Sequence, residues 1–277
     1  MFQDIDPHRI AYTPEHAAPR GHDRMVFLKK QRILLADHGG APALPVAGDL
    51  FPEPGDAARS SIYLFSLGDT AFRYAPGARE EGPGLAYAPC RSVRGLAPGH
   101  MAFAAATACH LASWYAHNRH CGLCAAPMLP KEDERALRCP ACGMVKYPRI
   151  SPVVMVGVRH GDALLLVRNA TGEYKGQGLV AGFVEAGETL EQALAREVLE
   201  ETGLRVANPR YYKSQPWAFS QSLLMGFFAD LAGDPAVDLG SGELSEALWT
   251  PRAEIPGDEP RFSLTWDMIQ AFRNGEV

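Results

Sequence analysis

The sequence predicts an α+β fold built from consecutive modules, and three observations predict it. Residues 1–98 are rich in Pro and Gly around short apolar runs, Arg32-Ile33-Leu34-Leu35 and Ser61-Ile62-Tyr63-Leu64-Phe65, so this stretch reads as a small β-rich N-terminal domain of strands and turns. Residues 99–147 join an Ala-, Leu-, Phe- and Trp-rich helix, from His100 to His117, to two Cys-x-x-Cys pairs. Residues 148–277 open with two apolar strands, Val153–Val158 and Ala163–Val167, joined by the turn His160-Gly161-Asp162. They continue with a helix near 189–202, strands near 205–213, 222–230 and 246–250, and a last helix from Leu264 to about Phe272.

Composition narrows the function classes. The 277 residues are 47% apolar and 21% charged, which suits a soluble protein with a sizeable core and excludes disorder, collagen and coiled coil. A net charge of −5 argues against a general nucleic-acid binder. The longest apolar candidate, Met101 to Trp114, contains His110 and falls short of the roughly 20 residues a membrane span needs. The start, Met1-Phe2-Gln3-Asp4-Ile5-Asp6, lacks the basic-then-apolar order of a signal peptide. A cytoplasmic protein without a membrane partner is expected.

Cys121 and Cys124, then Cys139 and Cys142, form two knuckles separated by 14 residues, a spacing that wraps one tetrahedral Zn²⁺. Four protein ligands leave no open position, so the zinc is expected to be structural. A redox pair or unrelated core thiols are the alternatives, and two matched pairs favour zinc. Cys90 and Cys109 stand alone and are expected as buried free thiols.

The helix near 189–202 carries charges on its inner side. Thr189 and Gln192 make a capping box, Gly203 a stop, and Leu190, Ala193, Leu194 and Val198 the buried stripe. At about 100° per residue, Glu197, Glu200 and Glu201 fall in an arc that overlaps this stripe and crowd the end where the helix dipole opposes negative charge. Carboxylates so placed call for a compensating cation, and oxygen-only ligands suit Mg²⁺ or Mn²⁺. A solvated acidic face is the competing explanation, with Arg196 pairing to Glu200 at i, i+4 on either view. The glycine-hinged loop before the helix tips the balance, because it can bring Glu185 and Glu188 beside the same helix.

Gly182, five residues, Glu188, seven residues, then Arg196-Glu197-Val198-Leu199-Glu200-Glu201-Thr202-Gly203-Leu204 resembles the Nudix box at every defined position. The resemblance implies a Nudix α/β/α sandwich that cleaves nucleoside diphosphates linked to another moiety with divalent metals. It implies metal ligation by Glu197, Glu200 and Glu201, with Glu188 and Arg196 bracing the loop. Ser214-Gln215-Pro216-Trp217-Ala218-Phe219-Ser220-Gln221-Ser222 resembles the array S-Q-P-W-P-F-P-x-S of the NADH pyrophosphatase branch, which also places a four-cysteine zinc ribbon before the Nudix fold. Tyr147-Pro148-Arg149-Ile150-Ser151-Pro152 is similar to the branch as well. Ala218 and Ser220 depart from the array by replacing prolines, which puts selectivity among dinucleotides in question.

The branch implies a dinucleotide contacted by Gln215 to Ser222, with stacking on Tyr147 and Phe183 and further contacts from Ala181, Glu134 and Thr265. Trp217 and Phe219 offer stacking faces, and core burial is their alternative. Arg94 matches a basic substrate contact, and Glu243, with Glu246 competing, matches a fourth metal carboxylate. The implied reaction is hydrolysis of NADH, and more slowly NAD⁺, at the pyrophosphate, with Glu201 as base or as the ligand nearest the attacking water. The branch further implies a homodimer and removal of NAD caps from RNA, for which Arg135, Arg138, Lys146 and Arg149 are the candidate basic patch. A Nudix enzyme acting on ADP-ribose or a diadenosine polyphosphate is the rival reading. A non-catalytic nucleotide sensor is a second.

Overall fold

The computed structural model describes residues 1–13, 19–171, 176–257 and 262–277. The chain divides into two compact units, one of residues 3–149 with 218–220 and one of residues 1–2, 150–217 and 221–277.

The C-terminal unit is built on a mixed sheet in the order Val206–Trp217, Ser222–Leu231, Ser151–His160, Ala163–Asn169, Leu244–Pro251. Ser151–His160 runs parallel to Ser222–Leu231 and shares its other edge between two partners. Its first half pairs with the short strand Val180–Phe183, and its end forms the hairpin with Ala163–Asn169, Gly161 taking φ 58° at the turn. Strand alternation sends side chains to two faces. Val154, Val156, Val158, Leu165, Val167, Phe227 and Ala229 meet Ala193, Leu194 and Val198 of the helix Leu190–Thr202. Val153, Met155, Leu164, Leu166, Leu224 and Phe228 meet Leu264, Met268, Ile269 and Phe272 of the helix Leu264–Arg273. Helix, sheet, helix makes the α/β/α sandwich. Each fully buried large aliphatic side chain in these layers contributes about 1.5–3 kcal/mol.

Local chemistry sets the ends of the first helix. Thr189 Oγ1 accepts from Gln192 N at 3.2 Å and Gln192 Oε1 accepts from Thr189 N at 2.9 Å, and Gly203 closes the helix at φ 71°.

The N-terminal unit holds two four-stranded sheets, one of Ile10–Ala11, Ile62–Leu67, Thr70–Tyr74 and Arg24–Val26, the other of Leu28–Lys29, Arg32–His38, Ala41–Ala43 and Leu85–Pro89. Short helices at Ala47–Leu50 and Pro54–Arg59 interrupt the β texture that the sequence predicts there. Asp23 and Arg73 form a buried ion pair at 3.0 Å, and Asp23 also accepts from the backbone of Ala71. The helix Gly99–His117 buries ten residues, most of them alanine, which leaves no polar face over its middle. The ribbon follows as three short strands, Leu129–Pro130, Leu137–Arg138 and Val145–Lys146. No described helix is long and apolar enough to cross a membrane.

Candidate active site

The loop 183–189 is tied to the helix Leu190–Thr202 by one guanidinium. Arg196 Nε and Nη2 donate to the two oxygens of Glu188 at 2.6 and 2.9 Å, Nη2 also reaches the Phe183 carbonyl at 3.0 Å, and Nη1 reaches Glu197 at 2.8 Å and Glu200 at 2.9 Å. Glu188 accepts a further hydrogen bond from Glu185 N at 3.0 Å. Fork-to-carboxylate pairing of this kind fixes geometry as well as charge. The Arg196 guanidinium beside it, helped by the Glu185 amide, holds the Glu188 carboxyl at about 2.

The inward arc divides in two. Glu201 is 6% exposed, Glu197 is largely covered, and Glu200 is out in solvent with Arg196 at i, i+4. No donor among the described residues hydrogen-bonds the Glu201 carboxylate. Burial, reinforced by Glu197, Glu243 and Glu200, pushes its carboxyl up to about 8. Burial likewise raises Glu197, against the pull of Arg196. Between the two candidate partners from the last strand region, Glu243 acts on both carboxyls, while Glu246 pairs with Arg168 at 3.1 Å. Gly182 makes room for this cluster, since a Cβ there would lie 2.0–2.2 Å from the Glu197 carboxylate. The ligand oxygens are not gathered into one tight shell. Among the described residues the one group of three or more metal-ligating side chains gathered together is the four cysteines, whose ligand atoms lie within 4.8 Å of one another.

Those cysteines adopt one turn twice. Cys121 N donates to Ala126 O at 2.8 Å and Ala125 N to Cys121 O at 2.9 Å; Cys139 N donates to Met144 O at 2.8 Å and Gly143 N to Cys139 O at 3.0 Å. The matching residues Ala125 and Gly143 are both left-handed, at φ 60° and 78°. Backbone amides of Leu123 and Cys124 donate to the Cys121 sulfur and draw its thiol down to about 6. Four thiols so placed fit a tetrahedral zinc.

The array occupies the end of the strand Val206–Trp217, a turn, and the start of Ser222–Leu231, with Gln221 left-handed at φ 55°. Ser222 is buried opposite Trp217, Pro216 is exposed, and Trp217 is half-buried against the core under the last helix. Gln215 is 0% exposed, its amide engaged by Leu264 N and Phe262 O. Ala218 and Phe219 are half-buried and Ser220 is exposed, and the Arg94 guanidinium lies 5.8 Å over the Phe219 ring within the N-terminal unit. Phe183 and Tyr147 present their rings, 52% and 59% exposed, and Tyr147 Oη donates to Glu134 at 3.1 Å. Ala181 is exposed beside Gly182, and Thr265 is half-buried with Oγ1 3.4 Å from Met155 Sδ. Of the basic residues around the ribbon, Arg135 donates to the Leu64 carbonyl and lies over the Tyr12 ring, and Lys146 donates to Asn118 at 3.2 Å, so both are turned to the chain.

Comparison with known proteins agrees with this anatomy. The NUDIX domain family matches residues 148–272, and the NADH pyrophosphatase zinc ribbon domain matches residues 116–147. A Photobacterium profundum protein named NAD-capped RNA hydrolase NudC is 43% identical over 152 residues, 54% of this chain and 56% of that one, so the alignment spans little more than half of the relative. A Pseudomonas aeruginosa protein of the same name is 35% identical over 247 residues, 89% of this chain and 80% of that one. The chain belongs to the Nudix hydrolase family, in its NADH pyrophosphatase branch. Membership implies a divalent cation at the Nudix helix, and the residues fit one. A buried carboxylate without a donor among the described residues, next to three others of the same sign, is the electrostatic arrangement that a hard cation relieves.

Two features of the C-terminal unit are not visible in the sequence. The strand Val180–Phe183 was hidden because its four residues carry no usable periodicity. The group of Tyr212, Lys213 and Asp267 was hidden because its members lie about 55 residues apart.

Proposed function

We propose that this Nudix protein hydrolyses the pyrophosphate bridge of NADH, and more slowly of NAD⁺, to AMP and the corresponding nicotinamide mononucleotide, and that it removes NAD caps from RNA 5′ ends by cleaving the same bond. The observation that carries the reading is the buried Glu201, without a donor among the described residues, beside Glu197, Glu200 and Glu243, in a chain whose ribbon matches the NADH pyrophosphatase zinc ribbon domain. Hydrolysis adds the hydroxyl of water to one phosphorus and its remaining proton to the mixture of phosphate products. In this reading Glu201 would take that proton or sit next to the attacking water. Mg²⁺ or Mn²⁺ held by Glu197, Glu200, Glu201 and Glu243 would neutralise the bridge and lower the pKa of that water. Arg196 and Glu188 hold the loop so that the exposed ring of Phe183 faces outward for stacking, and Tyr147 offers a second ring. Within the C-terminal unit, Ala181, Thr265, Pro216, Trp217, Gln221 and Ser222 complete the proposed substrate contacts, and the resemblance adds Glu134, Arg94, Ala218, Phe219 and Ser220 as contacts of the N-terminal unit by itself.

The free thiols and a four-thiol ribbon suit a reducing compartment, so we place the protein in the cytoplasm, as a homodimer on the pattern of the branch. Light scattering on the zinc-loaded protein tests the dimer. The second reading, a Nudix hydrolase of ADP-ribose or a diadenosine polyphosphate, draws on Ala218 and Ser220. Each lost proline loosens a compatible turn by about 0.4–1 kcal/mol. Turnover of a panel of NADH, NAD⁺, NAD-capped RNA, ADP-ribose and diadenosine polyphosphate separates the two, and the first reading requires NADH or NAD-capped RNA to lead.

A further inference from the structure

Alternate residues of the strand Val206–Trp217 close on one short segment. Lys213 Nζ donates to Asp267 Oδ2 at 2.9 Å. Gln215 Oε1 accepts from Leu264 N at 2.8 Å and its Nε2 donates to Phe262 O at 3.2 Å. Trp217 meets the Phe262 ring edge-on at 6.5 Å. Tyr212, brought to the same side where the strand pairing is irregular, donates to Asp267 at 2.8 Å.

The targets span only residues 262–267, the entry of the helix Leu264–Arg273. A helix start leaves orphan N–H groups. Ser263 serves one of them, its side chain taking Trp266 N at 3.4 Å, while its carbonyl accepts the first intrahelical bond, from Asp267 N at 2.9 Å. The first, Leu264 N, is left to Gln215. A side chain that binds a ligand must offer a donor or an acceptor to the cavity, but this amide is 0% exposed and both of its atoms are engaged by backbone. The next helix residue, Thr265, has Oγ1 against Met155 Sδ, and Met155 lies opposite Ala181 in the sheet. A shift of the helix entry therefore moves Thr265 relative to the strand that leads into Gly182 and Phe183.

We propose that Gln215 is a positioning residue rather than a substrate contact. With Lys213 it clasps the entry of the last helix and so holds Thr265 at the nucleotide site. The second half rests on the function proposed above.

The test uses the full-length, zinc-loaded protein. Gln215→Met keeps the volume and removes both hydrogen bonds, and Gln215→Glu keeps the acceptor for Leu264 N alone. Gln215→Met is expected to speed hydrogen exchange at Leu264 at least tenfold and to raise KM for NADH several-fold with kcat within about twofold. Thr265→Val is expected to raise KM in the wild-type background and should then add less than twofold, and Gln215→Glu should restore Leu264 protection. Unchanged protection in Gln215→Met overturns the clasp. Lost protection with an unchanged KM, or fully additive effects of Gln215 and Thr265, overturns the positioning role. Should Gln215→Met not fold, Gln215→Glu decides: wild-type protection and KM support the proposal, and a raised KM with protection intact means direct contact. A wild type that does not turn over NADH removes the proposed function, and exchange at Leu264 still decides the clasp.

Discussion

Replacing Glu201 by Gln should stabilise the protein while it abolishes the chemistry. The carboxyl is buried, and three carboxylates act on it, so its folded-state value rises from 4.5 to about 8. Between these values the folded chain holds a proton that the unfolded chain has released, so wild-type stability falls as pH rises from about 4.5 to about 8. At pH 7 the gap above the unfolded value is about 2.5 units, or about 3 kcal/mol at 1.36 kcal/mol per unit. Gln fills nearly the same volume and carries no such cost. Calorimetric unfolding with ribbon zinc retained and no added Mg²⁺ or Mn²⁺ should therefore show Glu201→Gln melting on the order of 10 °C higher at pH 7. The difference should shrink towards zero near pH 4.5. Mn²⁺ should close the gap, because a cation that binds the folded wild type more tightly than the variant adds stability by mass action, about 2.7 kcal/mol at a hundredfold excess over Kd. It should reverse the order only near a thousandfold excess, where the gain is about 4.1 kcal/mol. A variant less stable than wild type without divalent metal, or a difference independent of pH, would refute the electrostatic account of this helix.

Gly182→Ala places a Cβ 2.0–2.2 Å from the Glu197 carboxylate, so Glu197 must leave its place and metal-dependent turnover should fall at least a hundredfold; full turnover would show that this place is dispensable. Ala125→Gly relieves a left-handed alanine at φ 60°, worth about 1 kcal/mol, and should slow zinc loss to a chromogenic chelator, whereas Gly143→Ala, at φ 78°, should speed it. Arg196→Met removes the partner that holds Glu188 at about 2. That contribution is present above the ordinary glutamate value and is lost as pH falls through about 2, so wild type and variant should differ in acid titration followed by circular dichroism and converge near pH 2.

The elements that local chemistry defines were legible in the sequence. Thr189 and Gln192 form the capping box, Gly203 is left-handed, and the apolar strands meet at a turn containing Gly161, all as the residues predict. The zinc knuckles are as the cysteine spacing predicts, because each is a closed local turn. What long-range packing decides was not legible. A helical wheel puts Glu197, Glu200 and Glu201 in one arc, but only the neighbouring strand Val180–Phe183 and loop 183–189 determine that Glu201 is buried and Glu200 solvated. The sequence favours Glu243 over Glu246 as the fourth carboxylate, but it does not show that Glu246 pairs with Arg168 across the sheet. Nothing in the linear motif of the array shows that Phe262 and Leu264 engage the Gln215 amide.

The central claim is that this Nudix helix carries metal-dependent cleavage of a dinucleotide pyrophosphate. Incubating the zinc-loaded protein with NADH and Mn²⁺, beside ADP-ribose and a Glu201→Gln control, and resolving the products by mass tests it most directly. AMP and reduced nicotinamide mononucleotide from the wild type, with the control down by orders of magnitude, is the predicted result. Intact NADH, or a Glu201→Gln control that matches the wild type, would contradict it.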